Sequence, residues 1–345
     1  MPEGWIISNL VVALLVAGCA GLVVVVRRNR IWREAIGELW RRRTLAICCL
    51  GIYVLVALLD SVSWVGGVAE RDDAVAIHEA RSFLDRAFVN SREKTYSAPF
   101  AGEEFYRTGA GHPALRKPGS HPLGTDILGR DVLYLALKGA RVALLIGGLT
   151  SLIAIPLALL LGVSAGYFGG LIDDLVVFSM SIIASIPGLL LLIALIMAMG
   201  RGTVTVCIAL GVISWVGFCR LSRGETFKLR ELEFVEAARA LGVSELRIVL
   251  HHILPNLMHL VIITFVLMFS GLVLSEATLS WLGIGVDGSW GQMIDQARDE
   301  LSREPIIWWN IAAAGGALFG LLLVVNFVGD ALRDILDPRT LRENL

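Results

Sequence analysis

Seven long apolar runs divide this chain, and they restrict its fold more than any other sequence feature. A helix needs about 20 apolar residues to cross a bilayer, and each run comes near that length. The runs cover residues 6–26, 44–65, 142–168, 175–199, 203–219, 257–284 and 306–328. We therefore expect an all-α polytopic membrane protein with about seven transmembrane helices.

The composition agrees with a chain that lies mostly in lipid. Of its 345 residues, 56% are apolar and 18% are charged, whereas soluble domains have about 45–50% and about 25%. This balance excludes a disordered chain, a soluble enzyme and a nucleic-acid-binding protein. The five cysteines lie inside apolar runs without metal-ligand spacing, so we interpret them as packing residues and expect neither a metal site nor a cofactor. They are Cys19, Cys48, Cys49, Cys207 and Cys219.

Basic residues in two connections predict the orientation, because cytoplasmic connections carry an excess of lysine and arginine. Seven arginines lie between residues 27 and 43, and six basic residues lie between residues 220 and 247. Four predicted spans separate the two connections, which places both on the same side. The N-terminus and residues 66–141 are then predicted to lie outside, and the tail from Asp330 inside.

The first run has a second interpretation. Residues 15–19 resemble a lipoprotein cleavage box that ends at Cys19. However, no positive charge precedes the run, unlike in a signal peptide, and apolar residues continue to Val26. We therefore favour an uncleaved helix.

The stretch 231–256 is the most informative part of the sequence. It predicts two short helices that meet at Gly242, because glycine suits a left-handed helix end. We expect Ser244 to cap the second helix, Glu245 to lie in its first turn, and Pro255 to mark the start of the sixth span. The first helix carries an apolar stripe and a polar face. The stripe is Leu232, Val235, Ala238 and Leu241, and the polar face is Glu233, Glu236 and Arg239.

Two roles remain open for this first helix on physical grounds. The small residues Ala237 and Ala238 allow a soluble partner to approach closely, and Glu236 can bond to a basic group of that partner. Alternatively, the helix anchors the loop at the membrane surface.

The residues of this loop also match a known motif in identity and spacing. They are Glu236-Ala237-Ala238, Gly242 and Ile253-Leu254-Pro255. The segment resembles the EAA loop of ABC-importer permeases, which implies a coupling helix seated in a cleft of a cytoplasmic ATPase. The resemblance implies that the glutamate and alanines contact the ATPase and that the glycine makes the bend. The predicted coupling residues are Glu236, Ala237, Ala238, Arg239, Gly242, Leu254 and Pro255.

Further matches indicate which branch of the ABC-importer permeases the sequence resembles. They lie at residues 121–131, 139–141, 165–170, 186–187, 276–285, 289–291, 326–334 and 337–339. Together they resemble the C-type permease subunit of dipeptide, oligopeptide and nickel ABC importers. The resemblance implies a type I ABC-importer transmembrane fold in the inner membrane, with a six-helix core to which the first run adds one helix.

The resemblance also implies partners and a domain organisation. The partners are a second homologous permease, two cytoplasmic ABC ATPase chains and an extracytoplasmic substrate-binding protein. Short peptides are the favoured substrate, with nickel, opines and glycosides left open. The expected divisions are 1–66, two helices with a basic connection; 67–138, an extracytoplasmic insert; 139–330, the permease domain with coupling loop 225–255; and 331–345, a cytoplasmic tail.

Several polar residues invite specific interpretations. Glu276 lies inside the sixth run, where a carboxylate costs about 2.5–3.5 kcal/mol to insert. It either lines a translocation path or lies near the outer boundary. The outer signature comprises Gly124, Asp126, Gly129, Arg130 and Asp131. We expect its charged members to form exposed local ion pairs that order this segment, with contact to a delivery protein as the alternative.

Tryptophans and glycines predict packing features. Four tryptophans near the last two spans are typical of an interfacial aromatic belt, and three glycines of the third span indicate close helix packing. The tryptophans are Trp281, Trp290, Trp308 and Trp309, and the glycines are Gly147, Gly148 and Gly162. The histidines are scattered, which argues against a metal site.

The sequence lacks a P-loop, because no lysine follows a glycine. We therefore predict a permease without an ATPase site of its own, driven by separate ATPase chains. A secondary transporter driven by an ion gradient is the main alternative, but it favours ionisable residues in two matching halves, and Glu276 alone fits. An intramembrane enzyme or a sensor is a third class, for which the sequence offers neither a catalytic pair nor an output domain.

Overall fold

A computed structural model describes residues 30–64, 81–88, 93–106 and 111–336. The predicted first span 6–26 lies outside the described residues. So do Cys19 with its cleavage-box interpretation, and the tail from residue 337 onward.

The described chain is mostly helical, which confirms the predicted fold class. One two-stranded antiparallel ribbon, β1 (Ser63–Trp64) with β2 (Arg81–Ser82), is the only sheet within these residues. A π-helical turn, Val249–Ile253, joins two of the helices. The helices are α1 Arg30–Ser61, α2 Phe83–Ala87, α3 Val132–Phe168, α4 Gly170–Ser185, α5 Gly188–Met199, α6 Thr203–Leu229, α7 Glu233–Ala240, α8 Glu245–Ile248, α9 Leu254–Trp281, α10 Trp290–Glu300 and α11 Trp309–Leu336.

Five helical segments of the described chain are long and apolar enough to cross a membrane. They are Arg43–Ser61, Val132–Phe168, Thr203–Leu229, Glu245–Trp281 and Trp309–Ile335. Each overlaps one predicted run, so these five predicted spans are confirmed as apolar helices.

The predicted fourth span, residues 175–199, is not one continuous helix. Helices α4 and α5 are bent by 90° relative to each other at Ile186 and Pro187. Proline disfavours helical backbone in the residue before it, and Ile186 accordingly has extended dihedrals (φ −99°, ψ 132°). The described chain therefore has five spans, or six if this bent pair is counted as one.

The described residues divide into two compact units. The first unit contains those up to Leu144, with Ser280–Gly283 and Asp287–Val324. The second unit contains Leu145–Leu279, Ile284–Val286 and the described residues from Val325. The predicted outer signature belongs to the first unit, and the predicted coupling loop belongs to the second.

Close packing in the second unit depends on glycines of α3. A Cβ at Gly162 would lie 2.1 Å from the Ser222 hydroxyl oxygen, and one at Gly166 would lie 2.7 Å from the Arg223 carbonyl oxygen. Spacing of four residues between small side chains lets two helix backbones approach closely. Gly147 is confirmed as a packing glycine, because a Cβ there would lie 2.5 Å from the Phe269 ring. For Gly148 the packing prediction is wrong within the described residues, because a Cβ there would meet no atom of another element within 4 Å.

The cysteine prediction is also only partly confirmed. Cys207 and Cys219 are buried, whereas Cys48 and Cys49 are exposed on α1. The last two therefore do not pack between helices of the described chain.

We predict that Gly162→Leu lowers the free energy of unfolding by about 1–3 kcal/mol, because the new side chain overlaps atoms of α6. Gly148→Leu on the same helix has open space and is the matched control. Thermal unfolding of the purified chain in detergent measures both variants. Equal unfolding temperatures for the two would contradict the close approach of α3 and α6.

Candidate functional site

The coupling loop ends its first helix as predicted at Gly242. This glycine has φ +77°, a conformation that side-chain-bearing residues rarely adopt. The Gly242 amide donates to the Arg239 carbonyl at 3.0 Å, and the Val243 amide donates to the Ala238 carbonyl at 3.1 Å. These two bonds form a Schellman motif that terminates α7, so the bend at Gly242 is confirmed.

The second short helix does not end before the sixth span. Helix α8 continues through the π-helical turn into α9, so the apolar helix starts at Glu245 and not at Pro255. The Leu254 amide donates to Val249, five residues earlier, and this wider turn precedes a proline that lacks an amide donor. Ser244 occupies the cap position, but its side chain makes no capping hydrogen bond. The predicted cap bond is therefore wrong.

Helix α7 buries one narrow face. Val235 is fully buried and Ala238 is 8% exposed. Both pack in a cluster with residues of α3 and of the helix that leads into α9. The cluster comprises Val163, Tyr167, Val235, Ala238, Ile248, Ile253 and Leu257.

The rest of the predicted apolar stripe points away from the chain. Leu232 is 44% exposed and Leu241 is 84% exposed, so the stripe is only half buried. Glu236 and Ala237 are exposed as well. Ala238 supports α7 from inside the chain, which leaves Glu236 and Ala237 on the side that a partner can reach.

A polar network holds α7 in place beside this cluster. Arg239 donates from Nη2 to the Tyr167 hydroxyl at 3.3 Å, and that hydroxyl donates to Glu245. Arg239 Nε also lies 3.5 Å from Glu245 Oε1. No local pattern predicts this role for Tyr167, because its partners lie 72 and 78 positions away along the chain.

Two further arginines fix the neighbouring helix ends. Arg230 donates to the Gly166 carbonyl at 3.1 Å, which satisfies a carbonyl near the C-terminus of α3. Arg223 forms a two-pronged pair with Asp173, with Nη2 2.6 Å from Oδ2. Both guanidinium groups lie 4.7 Å from the centroid of the Phe227 ring. From the sequence these two arginines indicate only the orientation of the chain in the membrane.

The outer signature of the first unit folds around buried carboxylates. Asp126 is fully buried. Its Oδ1 accepts from the Leu128 and Arg130 amides at 2.9 and 2.7 Å, and its Oδ2 lies 2.7 Å from Arg130 Nη2. The predicted Asp126–Arg130 pair is confirmed, but its carboxylate is not exposed as expected.

Asp131 takes a different partner from the one predicted. Its Oδ2 lies 2.9 Å from His121 Nδ1, and its Oδ1 accepts from the Leu133 amide at 2.8 Å, at the start of α3. Both side chains of the His121–Asp131 pair are buried. The expected three-residue ion-pair set is therefore two separate pairs.

The signature glycines are required by close backbone contacts. Gly124 and Gly129 have φ of +74° and +69°. A Cβ at Gly124 would lie 2.5 Å from the Ser97 carbonyl oxygen, and one at Gly129 would lie 2.1 Å from the Glu93 carbonyl oxygen.

The aromatic-belt prediction is wrong for two of its four members. Trp290 and Trp309 are 2% and 3% exposed. Their indole nitrogens donate to the Ala136 carbonyl at 2.7 Å and to the Thr125 carbonyl at 3.0 Å. Trp281 and Trp308 are exposed, as an interfacial belt requires.

Two carboxylates of the first unit have opposite shifts in pKa. Burial raises the pKa of Glu300, and hydrogen bonds from Asn310 at 3.0 and 3.1 Å oppose this shift. Partial burial also raises the pKa of Asp85, but hydrogen bonds from Lys138 and Tyr134 outweigh it and lower the pKa to about 2. Asp85 therefore stays ionised, while Glu300 is easier to protonate than an exposed glutamate.

Glu276 lies in α9 and is 3% exposed. Its burial agrees with an inward-facing side chain, and the translocation-path role stays a prediction. Among the described residues, no group of three or more metal-ligating side chains comes together.

We predict that Glu300→Gln flattens the dependence of stability on pH. A carboxyl whose pKa is raised by folding stabilises the fold at low pH, and this contribution is lost as pH rises through the folded-state pKa. The variant should therefore have the same unfolding temperature as the parent chain at about pH 4 and a higher one at about pH 7. Asp299→Asn, at an exposed neighbouring position, is the control. Parallel curves for the parent chain and Glu300→Gln would contradict the prediction.

Comparison with known proteins identifies the family. The profile of binding-protein-dependent transport system inner membrane components matches residues 158–342. The oligopeptide transport system permease OppC of Haemophilus influenzae is 37% identical over 224 residues, covering 64% of this chain and 71% of that protein. The glutathione transport system permease GsiD of Pectobacterium atrosepticum is 34% identical, covering 64% and 73%. The dipeptide transport system permease DppC of Bacillus subtilis is 35% identical, covering 64% and 70%.

The chain belongs to this family of inner membrane transport components. It is a multi-pass permease subunit of an ABC importer, and ATP hydrolysis resides in separate subunits of the transporter complex. The resemblance inferred from the coupling loop and outer signature is thereby confirmed. A chain of the methionine ABC transporter MetNI in an inward-facing conformation has a TM-score of 0.48 and 20% identity, covering 59% of this permease and 97% of that chain.

Proposed function

We propose that this permease forms half of a pathway through which short peptides enter the cytoplasm. The mechanism is supported above all by helix α7. Its buried side chains Val235 and Ala238 hold it against the rest of the chain, while Glu236 and Ala237 are exposed. Relatives named as oligopeptide, dipeptide and glutathione permeases support the peptide class. Transport of nickel, opines or glycosides instead of peptides would contradict this substrate assignment.

The proposed complex contains a second homologous permease, two cytoplasmic ABC ATPase chains and an extracytoplasmic binding protein. In this complex α7 and the bend at Gly242 face the ATPase, with the N-terminus outside and the C-terminus in the cytoplasm. Nucleotide binding closes the ATPases and moves α7, which switches the spans between outward and inward access. Glu276, buried in α9, is proposed to contribute to the path.

We predict ATP-dependent uptake of radiolabelled trialanine by proteoliposomes that hold the assembled importer and its substrate-binding protein. Because ATP supplies the energy, uptake should persist when ionophores collapse the proton and sodium gradients. Uptake that requires an ion gradient and proceeds without ATP would indicate a secondary transporter. ATP-dependent uptake of nickel but not of trialanine would overturn the peptide assignment alone.

We predict that Ala237→Arg releases the ATPase from the complex. The position is exposed, so the chain still folds, but a bulky cation at the proposed contact should reduce ATPase recovery and uptake by more than about tenfold. A charge at buried Ala238 would disrupt the permease's own core and is less informative. Ser302→Arg, an exposed small-to-large change in the first unit, should leave ATPase co-purification unchanged. Full recovery of the ATPase with Ala237→Arg would contradict the contact.

A further inference from the structure

The hydroxyl of Tyr167 lies where three helical elements of the second unit meet. Tyr167 is the penultimate residue of α3. Its hydroxyl accepts from Arg239 of α7 and donates to Glu245 in the first turn of α8. Since α8 continues into α9, one phenol joins the coupling helix to two transmembrane helices.

The side chain of Tyr167 is much more buried than those of its two charged partners, Arg239 and Glu245, and this difference gives the phenol the central role. Tyr167 is 6% exposed, whereas the side chains of Arg239 and Glu245 are each 49% exposed. A half-exposed ion pair at 3.5 Å is screened by water and is weak alone. A hydroxyl that accepts one bond and donates another couples the two charges through a buried group.

The end of α3 that carries Tyr167 is held firmly. Arg230 binds the Gly166 carbonyl, and Gly166 packs without space for a side chain against Arg223 and Thr226 of α6. The phenol therefore cannot follow a displaced α7 by fraying of its own helix. A shift of α7 either moves α3 or breaks the hydrogen bonds.

Apolar and polar contacts resist different displacements. The hydrophobic stabilisation of the cluster around Val235 and Ala238 is non-directional. Hydrogen bonds prefer angles above about 150° and weaken steeply below about 120°. The polar network therefore supplies the directional part of the connection.

We propose that Tyr167, Arg239 and Glu245, here called the Tyr167 latch, transmit the movement of the coupling helix into α3 and α9. The proposal rests on the proposed contact between α7 and the ATPase. Tyr167 acts as a positioning residue, because it works through Arg239 and Glu245 without touching either nucleotide or substrate.

The test uses Tyr167→Phe, which removes the hydroxyl and keeps the packed ring. Tyr53→Phe is the matched control, because it removes a phenol that donates to the Ala317 carbonyl at 2.9 Å in the first unit. Amide hydrogen exchange of the assembled importer is measured with and without a non-hydrolysable ATP analogue. ATP hydrolysed per trialanine transported is measured in proteoliposomes.

In the parent complex and in Tyr53→Phe, the nucleotide analogue should change exchange in α7, in the C-terminal turns of α3 and in α9. In Tyr167→Phe the change should stay confined to α7, and trialanine transported per ATP should fall at least about fivefold while ATP hydrolysis persists. Glu245→Gln keeps an acceptor for the phenol and should retain more transport per ATP than Glu245→Ala.

Unchanged transmission of exchange to α3 and α9 in Tyr167→Phe would overturn the latch. An equal loss of ATP hydrolysis and transport would also overturn it, since that result indicates a purely structural role. The exchange measurement needs no substrate. A parent complex that does not transport trialanine therefore refutes the peptide assignment, while hydrogen exchange still tests the Tyr167 latch. A parent complex in which α7 does not respond to nucleotide refutes both the ATPase contact and the latch.

Discussion

The seating of Val235 and Ala238 in the cluster formed by α3 and the α8–α9 helix is the contact on which the coupling region depends. An isolated helix of eight residues is not stable in water, because too few hydrogen bonds offset the cost of nucleation. Burial of these two side chains stabilises α7, and the Schellman motif at Gly242 terminates the helix. The exposed positions of Glu236 and Ala237 follow from that seating, because one face of so short a helix is already occupied.

In the first unit, the segment that contains the outer signature has few large apolar residues, so polar contacts order it. Asp126, Asp131 and Glu300 are buried, and each accepts hydrogen bonds from nearby amides, a histidine or an asparagine side chain. Buried charges are tolerated only when they are paired and hydrogen-bonded. Asp126 and Asp131 therefore fix the chain just before α3 begins, and Glu300 at the end of α10 holds Asn310 in the first turn of α11.

Features of this permease that depend on neighbouring residues could mostly be predicted from the sequence, whereas features that depend on contacts between distant residues could not. The bend at Gly242 follows from the fit of glycine to a left-handed helix end, and the Asp126–Arg130 pair follows from opposite charges that lie close together in the sequence. The 90° bend at Pro187 has a local cause, but its size does not follow from the length and hydropathy of the run, because an apolar run looks the same whether it is straight or bent. The burial of Trp290 and Trp309 cannot be predicted from hydropathy. Hydropathy does not show that their indole nitrogens donate hydrogen bonds to the Ala136 and Thr125 carbonyls.

The sequence by itself determined the helical membrane architecture, the coupling motif and the position of its bend. These depend on the length of apolar runs and on the backbone freedom of single residues, which act over a few positions. The tertiary structure alone decided which face of α7 is buried, which partner Asp131 takes, and that Tyr167 joins three helices. Those outcomes depend on side chains from distant parts of the chain that meet only after the helices pack, and no local pattern records such meetings.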